Sequence, residues 1–100
     1  MGDPAAVTRI ALAMRRHRLR IRTVAISFGA ATRSAHRDMV VGPAERDALI
    51  ESWRSWSIRV LDDYARQAAE LTALGGEEEE SERAALAETL EDAYRTVREA

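Results

Sequence analysis

Apolar and polar positions along the chain follow the spacing of α-helices. In the first third, apolar or small residues recur at alternating steps of three and four over about four heptads. They are Val7, Ile10, Met14, His17, Ile21, Val24, Phe28, Ala31 and Ala35. A second, thinner stripe consists of Leu12, Leu19 and Ile26. A helix with two apolar sides contacts two neighbours, or one neighbour and a second chain.

Capping and helix-breaking residues predict where the helices begin and end. Asp3-Pro4 is typical of a helix start, because Asp accepts hydrogen bonds from free N–H groups and Pro suits the first helical position. Gly42-Pro43 and Gly75-Gly76 each separate two helical patterns. The chain of 100 residues is therefore predicted to form one domain, 1–100, with helices at 4–38, 43–74 and 77–98.

The second and third helices differ in how apolar they are. The stripe of the second helix is Leu49, Trp53, Trp56, Val60, Tyr64, Ala68 and Leu71, and it is widened by Ile50 and Leu61. The third helix is acidic and weakly apolar, and Glu77–Glu80 are interpreted as its solvated first turn. The fold class is thus all-α: an antiparallel hairpin of two long helices plus a shorter acidic C-terminal helix. Whether that helix packs on the hairpin is left open.

A lone helical hairpin buries little core for its length, so the sequence predicts assembly as a helical-bundle dimer or with another helical protein. The predicted interface residues are Val7, Ile10, Met14, Ile21, Val24, Phe28, Trp53, Trp56, Val60 and Tyr64. The two Trp residues also admit a plain core role. A non-enzymatic protein–protein interaction module is the function that this pattern favours.

The net charge of −2 hides an asymmetry along the chain. Residues 1–50 hold nine Arg and four acids, whereas residues 51–100 hold six Arg and thirteen acids. The densest basic cluster is a possible anion-binding site and consists of Arg15, Arg16, Arg18, Arg20 and Arg22. We expect these side chains to pair with the acidic stretch 77–92 of the same or a neighbouring chain. The alternative is a small nucleic-acid-binding regulator, which is not favoured because the arginines surround the helix instead of forming one stripe.

Little in the composition points to catalysis. The absence of cysteine excludes disulfides, thiolate metal sites and a thiol nucleophile. His17 and His36 lack the acidic neighbours of helical metal sites, and His17 is interpreted as a histidine at the edge of the core. We therefore predict no cofactor, no metal and no catalytic residue. A second alternative is a small enzyme of the chorismate-mutase type, which would clamp a dicarboxylate with buried arginines.

The layout also resembles a known family. Two long helices around the turn Val40-Val41-Gly42 are similar, over residues 4–74, to the Trp-X-Gly family of small helical-hairpin proteins. Here Val stands where the family has Trp, and Tyr94 is followed four positions later by Arg98 where the family's export signal has an acid. The resemblance implies a dimeric substrate or partner of type VII secretion. We predict no membrane span, no secretory signal peptide and a cytoplasmic location, with export without a cleavable signal peptide as the alternative.

Overall fold

The computed structural model describes residues 8–38 and 40–100, and every regular element in this part of the chain is helical. Helix α1 spans Arg9–Asp38, α2 spans Pro43–Leu74, a 3-10 turn spans Glu77–Glu79, and α3 spans Glu80–Glu99. The helices lie side by side in a rod of 62 × 23 × 16 Å. The predicted all-α class is confirmed, as are the bounds of α2.

The start of α1 differs from the prediction. Thr8 is not helical, and its hydroxyl accepts the N–H of Ala11 at 3.0 Å, which makes it the N-cap of a helix beginning at Arg9. The predicted continuous helix from Pro4 is therefore wrong at Thr8, because a residue that caps a helix lies outside it. Positions 4–7, including Val7, lie outside the described residues.

Helix α3 packs on both helices of the hairpin. The Nε of Arg18 in α1 donates to the hydroxyl of Thr89 at 3.2 Å, and the hydroxyl of Tyr94 donates to Asp62 in α2. Partial burial, followed by the bond to Asp62, raises the pKa of Tyr94 to about 12. The third helix is thus part of the domain and completes a three-helix bundle.

One apolar core runs between the three helices. Five large side chains in it are fully buried, and at least one comes from each helix: Met14, Ile21, Leu61, Leu86 and Val97. Helix α1 contributes the largest share of the core, because much of its main stripe faces the other two helices. The chain itself therefore buries Met14, His17, Ile21, Phe28 and Ala35 of that stripe, whereas Ile10, Val24 and Ala31 are half-buried.

The buried side of α2 is rotated relative to its predicted stripe. Its buried residues are Ile50, Ser57, Leu61 and Ala68, whereas the predicted positions Leu49 and Trp56 are exposed. The cause is α3, which packs against the side of α2 that carries Leu61 and leaves the other edge of the apolar arc without a neighbour. The sequence pattern placed Ile50 and Leu61 at the margin of the apolar stripe of α2, but both belong to its buried side.

The turn between α2 and α3 contains a buried carboxylate. The N–H of Gly76 donates to Glu79 Oε2 at 2.9 Å, and only 6% of the Glu79 surface is exposed. The interpretation of Glu77–Glu80 as a solvated turn is therefore wrong for Glu79, although it holds for the three exposed neighbours. The Gly76 N–H, followed by the Thr8 hydroxyl, holds the pKa of Glu79 below its ordinary value of 4.5.

We expect Glu79→Gln to lower the melting temperature at neutral pH, because the charged form makes the stronger hydrogen bonds. A carboxylate with a lowered pKa stabilises the fold above its unfolded pKa, and this stabilisation is lost as the pH falls through the folded value. The difference from wild type should therefore shrink below about pH 4. Thermal melts at neutral pH and at acidic pH measure this difference in melting temperature, and the exposed Glu78→Gln is the control. An equal deficit at neutral and acidic pH would refute this role of Glu79.

Candidate interaction surface

The hairpin carries an apolar groove between α1 and α2. A cavity of about 480 Å³ opens there, and its walls come from α1 and α2 alone. Its lining combines large apolar side chains with small ones and includes Leu19, Val24, Trp53, Trp56, Thr23 and Ser27. Two smaller cavities, of about 380 and 330 Å³, continue the groove towards the two ends of the helices. We call this side of the hairpin the open face.

Large apolar side chains on the open face remain in contact with solvent. Trp56 is 59% exposed, Leu19 is 62% exposed and Leu74 is 68% exposed. Single exposed apolar residues are ordinary on protein surfaces, but a contiguous patch along a groove marks an interaction site. The fold therefore leaves apolar side chains on one side of the hairpin uncovered by the described part of the chain.

The sequence of α2 explains why this face stays open. Its apolar arc is wide enough for two neighbours: Leu61 and Ala68 are buried in the core, while Trp53 and Trp56 line the groove. Packing against α1 and α3 in one three-helix bundle covers Leu61 and Ala68 but leaves the groove side of α2 uncovered. The stripe predicted for α2 is thus largely the edge that the third helix leaves uncovered.

The predicted interface residues separate into two groups. Met14, Ile21 and Phe28 are buried in the core of the same chain, so they are out of a partner's reach in the folded protein. Trp56 is exposed, and the remaining described members are half-buried: Ile10, Val24, Trp53, Val60 and Tyr64. Val7 lies outside the described residues. Of this second group, Val24, Trp53, Trp56 and Tyr64 line the groove of the open face.

The arginine cluster also divides into two. Arg15 Nε lies 2.6 Å from Glu82 Oε1 and Arg18 Nη1 lies 3.6 Å from Glu82 Oε2, so these two pair with the acidic stretch of their own chain, as expected. Within residues 8–38 and 40–100, no ion pair forms on the other three members: Arg16, Arg20 and Arg22. Arg16 and Arg20 line the cavity of about 380 Å³ together with Glu70.

The thin stripe of α1 forms an exposed crest beside the groove. Leu12 is 40% exposed and Ile26 is 67% exposed, and Leu19 belongs to both the crest and the groove. The two apolar sides predicted for this helix are both present. The chain itself buries most described members of the main stripe but leaves the thin stripe exposed.

His17 has a structural role in the core. It is 3% exposed, its Nε2 donates to the carbonyl of Tyr64 at 2.8 Å, and its ring packs edge-on against the Tyr64 ring at 5.1 Å between centroids. This agrees with its interpretation as a core-edge histidine. Among the described residues, no three His, Asp or Glu side chains converge as metal ligands.

Comparison of the chain with protein families, with curated proteins and with solved structures found no match. No helix in the described ranges is both long enough and apolar enough to cross a membrane.

Proposed function

We propose that the protein is a non-enzymatic helical interaction module whose open face binds a second copy of the same chain. The observation that carries the proposal is the open face itself, a groove of about 480 Å³ edged by Leu19 and Trp56, both more than half exposed. Burying such side chains stabilises an assembly by roughly 25 cal/mol for each Å² of apolar surface removed from water.

Charge supports a second copy as the occupant. Helix α1 holds eight Arg and a single acid, Asp38, at its last position, whereas residues 51–100 carry seven more acids than arginines. A second copy brings both signs of charge, so its acidic side chains can meet the arginines that find no ion pair within the described part of their own chain. Complementary charges guide association and select the partner.

The three-helix bundle changes the reason for association. Most described members of the main stripe of α1 are buried within one chain, so folding does not require a partner to hide them. What a second copy covers is the outer edge of the α2 arc and the side of α1 that lies beside it. We therefore expect association between folded molecules, not folding coupled to association.

We expect the wild-type chain to self-associate at micromolar concentration and Trp56→Ser to weaken that association by about 2 kcal/mol or more, since Trp is a frequent interface hot spot. Size-exclusion chromatography with light scattering, over a range of protein concentrations, measures the self-association of both proteins. Val40→Ser is the matched control, because Val40 is 98% exposed in the α1–α2 connection and lies away from the groove. A wild-type monomer at high micromolar concentration, or equal association of the two variants, would refute the proposal.

Nucleic-acid binding by α1 is the second candidate function. The observation in its favour is that Arg16, Arg20 and Arg22 are exposed and form no ion pair with the described residues. The crest of Leu12, Leu19 and Ile26 between such arginines disfavours it, because phosphate contacts need no apolar ridge. This function requires duplex binding that falls steeply with salt, and no binding at low salt would exclude it.

Two more specific functions remain, an enzyme of the chorismate-mutase type and a role in type VII secretion. A chorismate-mutase-type enzyme would bury arginines between its helices, whereas the two that line a cavity between α1 and α2, Arg16 and Arg20, are exposed and lie beside Glu70. Secretion by a type VII system is the specific role that the Trp-X-Gly resemblance adds to our proposal. A dimer formed through the hairpin helices would accommodate that role, with α3 as an addition along one side.

A further inference from the structure

Each helix that borders the open face contributes a different set of side chains. On the α1 side, the small residues Thr23, Ser27 and Ala31 recur every four positions among larger lining residues, whereas the α2 side includes Trp53 and Trp56. If two copies met with α1 on α1, two rows of small side chains would leave a gap while bulky rows collided. If α1 of one copy meets α2 of the other, the large side chains of each enter the small-residue strip of the other.

Charge points to the same arrangement. Arg16 and Arg20 of α1 border the cavity of about 380 Å³ from one side, and Glu70 of α2 borders it from the other. Among the described residues, none of the three forms an ion pair. Contact of α1 with α1 would bring two Arg-rich helices together, because α1 contains eight Arg and no acid before Asp38. Contact of α1 with α2 instead adds the partner's Glu70 beside the arginines of each copy.

One symmetry operation satisfies both conditions. A two-fold axis parallel to the helices keeps every residue at its own height along the rod. The second copy's Trp56 then lies level with Thr23 and Ser27, since Trp56 already lines one cavity with those residues in its own chain. By the same reasoning, Glu70 of the second copy lies level with Arg16 and Arg20.

We propose that two copies pair through their open faces about such an axis, with α1 on the partner's α2, and that Arg16, Arg20 and Glu70 select the partner. This arrangement rests on the proposed function, because it requires the open face to bind a second copy. It yields a central four-helix bundle of two hairpins, with one α3 on each outer side. The contact is isologous, so each charge cluster occurs twice.

A charge exchange between two variants of the full chain tests the arrangement. In the variant Arg16→Glu/Arg20→Glu, the introduced acids face Glu70 of an identical copy at both clusters. In Glu70→Arg, the introduced arginine faces Arg16 and Arg20 of an identical copy at both clusters. We expect each variant alone to self-associate at least tenfold more weakly than wild type. In an equimolar mixture, both clusters regain opposite charges, so we expect mixed dimers to form at near wild-type affinity.

Native mass spectrometry, with one variant carrying a mass label, distinguishes mixed from identical pairs, and circular dichroism shows that each variant is folded. Arg22→Glu/Arg33→Glu and Glu88→Arg are the matched controls, since they make the same charge changes on α1 and α3 at exposed positions that do not line the groove. Mixed dimers in the test pair alone would support the arrangement. Undiminished association of the single variants, or weakened variants that do not recombine, would overturn the arrangement and leave the proposed function standing. A monomeric wild type would instead overturn the proposed function itself.

Discussion

We expect Leu61→Ala to destabilise the folded chain by about 2–5 kcal/mol, a large part of the roughly 5–15 kcal/mol that stabilises a domain. Leu61 is fully buried where α2 meets α1 and α3, and neighbours held on three helices fill a vacated space only in part. The free energy of unfolding, from urea denaturation followed by circular dichroism, measures the effect. The m-value should stay unchanged if the native fold persists.

The same substitution at Leu19 separates folding from association. Leu19 is 62% exposed, so Leu19→Ala should change the stability of the monomer by no more than about 0.5 kcal/mol while weakening self-association. Leu61→Ala should lower the stability of the monomer and leave self-association unchanged, at temperatures where the variant remains folded. Denaturation at low and high protein concentration tells the two apart, since only association makes stability depend on concentration. Equal losses of stability at the two positions would contradict the assignment of Leu61 to the core and Leu19 to the surface.

The sequence predicts the helices of this protein well because their signals are local. The break at Gly42-Pro43 and the apolar spacing from Met14 to Ala35 act within a few residues. The structure confirms the break and most of the stripe, although Ala25 and Thr32 are buried in place of Val24 and Ala31. The start of α1 was less predictable, since both Asp3-Pro4 and Thr8 have the chemistry of a helix start. Local capping preference alone does not decide between two such positions.

The packing of α3 was not predictable from its own pattern. Its buried residues are Leu86, Thr89, Ala93 and Val97, a stripe with only two large apolar members. A stripe of this kind is equally compatible with docking and with exposure to solvent. Once α3 packs, it takes the side of α2 that carries Leu61 and leaves Trp56 outside. The location of the open face therefore depends on a tertiary contact, although some of its residues, such as Leu19 and Trp53, had been named from the sequence.

Contacts of charged side chains with distant parts of the chain were also missed. Arg54 was not singled out in the sequence, and it bonds to the last carbonyls of α3. Glu79 was interpreted as part of a solvated turn, whereas the N–H of Gly76, followed by the hydroxyl of Thr8, lowers its pKa. Spacing along one helix carries no information about such partners.

Arg54 carries the second large effect that we expect. Its Nη1 donates to the carbonyls of Val97 and Arg98 at 3.1 and 3.3 Å, and its Nη2 donates to the carbonyl of Ala100 at 2.8 Å. The last carbonyls of a helix have no partner within it and carry the negative end of the helix dipole. A guanidinium at this position donates hydrogen bonds to those carbonyls, and its positive charge interacts favourably with the dipole. The same group lies 5.5 Å from the centre of the Phe28 ring, and Arg54 therefore ties α2 to α1 and to the end of α3.

We expect Arg54→Ala to destabilise the chain by about 1.5–3 kcal/mol, since it leaves several carbonyls without a donor and removes a mostly buried side chain. Arg54→Lys should recover only part of this loss, because a single ammonium group does not reproduce the planar fork of the guanidinium. Amide hydrogen exchange should locate the damage in the last turns of α3, where protection falls before it does in α1. Arg66→Ala is the control: the Arg66 side chain is 72% exposed and, among the described residues, pairs only with Asp63 on its own helix, so its loss should cost less than about 0.5 kcal/mol. Equal effects at the two positions, or exchange that rises evenly along all three helices, would show that Arg54 does not hold the end of α3.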